Sequence, residues 1–218
     1  MAKDKSPTRQ PSTEEWARSH GISTESTPPA VVGYDESCPF TARQIAARAV
    51  ILQGVVAVAS EVDPEPVVEW YREQGIWEQV GPQEQEFLVA PDSLDRDGWN
   101  ALRWRQEAEW TLLWVVGKVE ALGLPTHQCD TRRLIDEIIP ALGSDINRFL
   151  TSAMLRPPGI LLAEDDRHYD LWCRYHQTRR EGVDKVPRDL GVSVLFQRQY
   201  VFEWLHGIEA WDDVQCDA

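Results

Sequence analysis

Four charged side chains stand where helical periodicity calls for apolar ones. Arg103, Glu107, Trp110, Trp114 and Gly117 recur at spacings of four, three, four and three, which sets Glu107 over an aromatic stripe. Arg48 interrupts the stripe Ile45, Ala49, Leu52, Val56 and Ala59, and Arg198 falls among Val194, Val201 and Leu205. Asp166 aligns with Leu162, Tyr169 and Trp172 or Cys173. A charge buried without a partner is costly, so these groups must meet one another or line a wet cleft. The expected arrangement is a network in which Glu107 and Asp166 meet Arg48 and Arg198, with Trp211-Asp212-Asp213 nearby. Arg48, Arg105, Glu107, Asp166, Tyr169, Arg198, Trp211 and Asp213 form the candidate polar cluster. Such a cluster can be an ionic network that orients helices, or a pocket that binds a small ligand or moves protons.

Other chemistry has weaker support. Asp165-x-x-His168 and Glu203-x-x-His206 each put a carboxylate and an imidazole on one helical face, but a bundle-core metal site needs further carboxylates from other helices. Surface pairs explain both better, and His127-x-Cys129-Asp130 reads as a loop ending in a helix cap, so neither a metal nor another cofactor is expected. Cys173 could be activated by His176, yet a Cys between Trp172 and Tyr175 reads as a small buried hydrophobe. The chain has no Gly-x-Gly-x-x-Gly, P-loop, His-Glu-x-x-His or Gly-x-Ser-x-Gly. Enzymatic function therefore loses ground without being ruled out.

Composition narrows the partners. Of 218 residues, 36 are Asp or Glu and 22 Lys or Arg, a formal charge of -14. An acid excess spread along the chain argues against a nucleic-acid backbone and favours, if any macromolecule, a protein with a basic surface. The longest apolar stretch, 49–59, is too short for a bilayer and is broken by Gln53, which argues against a membrane. Cys38, Cys129, Cys173 and Cys216 are widely spaced free thiols, and the start lacks an apolar leader, so a cytoplasmic location is expected. Ten Trp are unusual. Trp104, Trp110, Trp114 and Trp204 occupy apolar helical positions, whereas Trp16, Trp77 and Trp211 lie near element ends and could form an exposed contact surface.

These residues need helices to hold them. Residues 1–11 are expected to be a disordered tail, and 12–39 an arm with a short helix, capped at Ser12 and Glu15, that docks through Trp16 before an extended connector. Residues 40–218 read as an all-α single domain, an irregular bundle of about seven to nine helices. Thr41 and Gln44 form a capping box with a Phe40–Ile45 staple, and Asp63-Pro64 and Gly81-Pro82 open two more helices. A helix over 97–122 is expected to be the longest and central. Asp130 caps one through Leu142, shortened or kinked by Pro140, and another ends before Pro157-Pro158. Helices over 160–180 and 192–206 end at Gly182 and Gly207.

Trp104-Arg105-Gln106-Glu107-Ala108, with Leu112-Leu113-Trp114-Val115-Val116-Gly117, resembles the central segment of the DUF4272 family, a bacterial domain of unknown function. Ile45-Ala46-Ala47-Arg48-Ala49, Leu155-Arg156-Pro157, Val201-Phe202-Glu203-Trp204-Leu205 and Trp211-Asp212-Asp213-Val214 resemble further motifs of that family, in order. The resemblance covers about 12–217. Gln197-Arg198 stands where the family pattern has Glu-Arg, and Tyr169-Asp170-Leu171-Trp172-Cys173 departs from its Tyr-Arg-x-His-Trp. The family implies no reaction. The leading expectation is a non-enzymatic protein working through protein contacts, as an acidic regulator or toxin-neutralising partner. The alternative is a small-molecule-binding protein or enzyme using the charged cluster.

Overall fold

A computed structural model describes residues 12–19, 22, 38–182 and 190–216. The expected tail 1–11, most of the connector, Gly21 and the loop 183–189 lie outside the described residues, as does the side chain of Trp16. The helices are α1 Thr13–Ser19, α2 Ala42–Ala59, α3 Pro64–Glu73, α4 Pro82–Val89, α5 Arg96–Val115, α6 Thr131–Arg133, α7 Asn147–Thr151, α8 Pro158–Glu181 and α9 Val192–Leu205. A π turn, Leu134–Ile138, continues α6, and a 3-10 turn, Trp211–Asp213, follows α9. Among the described residues there is no strand, and the fold is all-α.

Local chemistry explains where the helices start. Ser12 and Glu15 cap α1 reciprocally at 2.9 and 3.2 Å. Thr41 and Gln44 do the same for α2, and the Asp63 carboxylate accepts from Glu65 N–H at the start of α3.

Two expected helix spans are corrected. α5 ends at Val115 and not near 122, because Gly117 takes φ +73° and Arg156 binds the carbonyls that continuation would have used. α8, at 24 residues, is therefore longer than α5 at 20. The helix capped by Asp130 stops at Ile138, since Pro140 holds Ile139 extended at ψ 147°.

α2 lies at the centre and packs along α5, which in turn packs on α9 and α9 on α8. By length and composition α2 could cross a bilayer, but 72% of it is buried in this core. Ala17 and Ile22 of the arm join Leu171, Trp172, Tyr175, Leu190 and Leu195 in a second apolar cluster, so the arm docks on α8 and α9. Trp211, expected near an exposed surface, is buried, and Trp77 is half-buried with the Arg72 guanidinium 5.2 Å from its ring.

Candidate functional site

The expected network divides into two separate groups of charges. In the first, Arg48 crosses from α2 to Glu84 in the first turn of α4, an ion pair in direct contact with both side chains buried. Glu84 also accepts from Gly81 N–H at 3.1 Å. The Arg48 guanidinium lies 4.7 Å from the centre of the Trp211 ring, and Arg105 lies 3.8 Å from the Tyr200 ring. The Tyr200 hydroxyl donates to the Trp211 carbonyl, and Asp212 accepts from Gln83 N–H at 2.9 Å. A Cβ on Gly81 would stand 2.5 Å from both Asp212 carboxylate oxygens, so only glycine lets the Trp211 turn approach α4 this closely. These residues join α2, α4, α5, α9 and the C-terminal turn.

The second group opens on a cleft. Glu107 of α5 and Arg198 of α9, 1% and 2% exposed, stand 3.5 Å apart. One Glu107 oxygen takes the Cys129 N–H, while Arg198 Nη1 donates to the Gly123 carbonyl at 2.8 Å. Glu107 Oε2 and Arg198 Nε form no hydrogen bond. Arg198 lines a cleft of about 610 Å³ together with Trp110, Trp114, Cys129, Arg156, Glu164 and Arg167. Arg156 is held in place by the carbonyls of Trp114 at 2.7 Å, Val119 at 2.5 Å and Glu120 at 3.0 Å, with its guanidinium 4.7 Å from the Trp114 ring. Arg167 reaches Glu164 at 2.7 Å.

Titratable groups in and beside the cleft are shifted by their surroundings. Burial, then the Glu107 charge, pushes the Cys129 thiol far above its usual range. Beside the cleft His168 is buried against Phe202, and burial together with the Arg198 charge lowers it to about 3, so it is neutral. Burial raises Glu164, and the charges of Arg167, Arg198 and Arg156 oppose that rise.

Several expected placements change. Asp166 is exposed, and Asp165 and Glu164 face inward instead, because the buried stripe of α8 runs Asp165, His168, Leu171, Trp172 and Tyr175. Tyr169 is half-buried beside Cys173, and Asp213 is exposed. The two His-carboxylate spacings do not form surface pairs. His206 bonds Asp165 across helices at 2.8 Å and approaches Glu203 at 3.5 Å. Burial opposes charge on His206, but its hydrogen bonds to these two carboxylates raise it to about 9. No group of three or more metal-ligating side chains gathers among the described residues. Burial raises the Cys173 thiol, and the ring of His176 packs against Trp172 with centroids 4.3 Å apart.

Two buried carboxylates escaped the reading of spacing. Glu84 looks like an ordinary first-turn acid of a short helix. Glu109, 2% exposed, sits in the part of α5 that is buried all round, and that run was the available signal.

The fold and its sites define an all-helical domain with charged pairs set in its core. The chain belongs to the family Domain of unknown function (DUF4272), whose model matches residues 9–214. No curated protein and no solved structure matches it.

Proposed function

We propose that the protein binds a small organic anion in the cleft lined by Arg198 and carries out no chemistry on it. The observation behind this reading is a buried guanidinium with unused donors. Arg198 can offer five N–H groups, makes one hydrogen bond, to Gly123, and holds its carboxylate partner at 3.5 Å. Arg156 and Arg167 line the same cleft, so three arginines meet there beside Glu120, Asp130 and Glu164. A volume of about 610 Å³ suits a small molecule. Binding without nucleophilic catalysis fits a cleft whose Cys129 thiol is pushed far above its usual range.

The protein-contact reading loses part of its motive, because Trp211 is buried and Trp77 half-covered. A thermal-shift panel of small carboxylates, phosphate monoesters and uncharged analogues separates the two. Binding in the cleft requires that anions raise Tm in the wild type and not in the Glu107→Gln/Arg198→Met double variant, which removes both charges together. If no anion shifts Tm while pull-down recovers a basic protein, the contact reading replaces this one.

A further inference from the structure

A second cavity, of about 790 Å³, lies between α2, the middle of α5 from Asn100 to Glu109 and the segment 128–142. Its wall grades from polar and buried to apolar and exposed. Glu109 and Gln53 are 2% and 7% exposed, whereas the apolar Val62, Ile135 and Leu142 are 42%, 54% and 38% exposed. Gln53 Nε2 donates to the Pro140 carbonyl at 2.8 Å, which turns its amide oxygen away without a donor. Glu109 Oε1 has no hydrogen-bond partner either. Arg103, the cation among the lining residues, gives its Nε to the Ala59 carbonyl at 2.5 Å and leans 3.9 Å from Glu61. Glu109, an acid without a countercharge, Gln53 and Trp104 thus stand in the cavity wall behind an apolar rim.

We infer that this cavity binds a cationic amine with an apolar tail, the ammonium seated on the Glu109 carboxylate and the Gln53 amide oxygen. An anion would find no countercharge at Glu109 or Gln53. An alcohol could give one hydrogen bond but no countercharge, and an ammonium supplies both. Trp104 stands in the same wall, and the net charge of -14 draws cations from solution. Burial alone raises the Glu109 carboxyl well above its usual range, which favours the acid form in the empty cavity. Seating R–NH3+ converts that acid to carboxylate, and its proton leaves to solvent. The Tyr71 hydroxyl, the Cys129 thiol and Arg103 are the other titratable or charged groups that face this carboxyl. Tyr71 and Cys129 are both raised by burial and stay neutral through the binding range.

Isothermal titration with hexylammonium, hexanol and hexanoate, each in two buffers of different ionisation enthalpy, tests the assignment. Hexylammonium is expected to bind roughly tenfold tighter than hexanol, with buffer-dependent heat that reports the released proton, and hexanoate is expected not to bind. Glu109→Gln should weaken hexylammonium about tenfold and leave hexanol unchanged. Ala141→Trp, at an exposed position of the rim, should block both ligands in a folded protein. The double variant Glu107→Gln/Arg198→Met should retain hexylammonium binding, which separates this cavity from the arginine-lined cleft. Equal affinity for the amine and the alcohol, undiminished amine binding by Glu109→Gln, or no binding of any probe would overturn the assignment.

Discussion

Glu84 and Glu109 are equally buried carboxylates, at 4% and 2% exposure, in opposite circumstances. At the Trp211 corner, Glu84 touches Arg48, takes a backbone N–H and is closed over by an indole. In the cavity wall, Glu109 has no ion-pair partner and no hydrogen bond, although each acid keeps a buried Oε1 without a partner. Glu107 stands between them, with Arg198 present at 3.5 Å. Burial therefore says little about the role of a charge in this protein, and what occupies the next few ångströms says a good deal. A closed pair specifies the fold, whereas an open acceptor leaves room for a ligand.

The sharpest way to break that contrast is at the corner. Arg48→Met should cost about 3–5 kcal/mol in urea unfolding, because it strands Glu84 in the core, and Arg48→Met/Glu84→Leu should recover most of the loss. A single variant that unfolds like the wild type would remove the distinction. Gly81→Ala, which forces a methyl against Asp212, should cost about 1–3 kcal/mol and leave ligand binding in either cavity unchanged.

Glu109→Gln should do the reverse of Arg48→Met and stabilise. A carboxyl whose folded pKa is raised contributes stability below its unfolded value of 4.5 and loses it as pH rises through the folded value. The variant should therefore match the wild type near pH 5 and exceed it near pH 8 by about 1 kcal/mol, read from the urea midpoint. The corresponding alkaline effect is expected at His206. Its folded value of about 9 against 6.5 unfolded means that its contribution is complete below 6.5 and disappears as pH rises through 9. His206→Gln should flatten that alkaline limb alone.

Helix starts were legible because their determinants lie within four residues. The caps at Ser12, Thr41, Asp63 and Asp130 all form as their spacing requires. Helix ends were less legible, since α5 is stopped in part by Arg156, more than forty residues beyond its last turn. The Glu107–Arg198 pairing could be anticipated from two charges on apolar faces. The Arg48 partner could not, because Glu84 becomes buried only when α4 folds against α2. Asp166 misled for a reason of phase. Three acids in succession, Glu164, Asp165 and Asp166, face different directions, and only packing against α9 selects which ones turn inward.

Arg156 grips the peptide carbonyls of Trp114, Val119 and Glu120, joining the end of α5 to the approach to α8. A carbonyl oxygen is the same whatever side chain follows it. The clamp is therefore blind to the identity of residues 119 and 120 while depending wholly on its own guanidinium. Mutational tolerance across this joint should be lopsided, wide at the exposed Glu120, limited by core packing at Trp114 and Val119, and almost nil at Arg156.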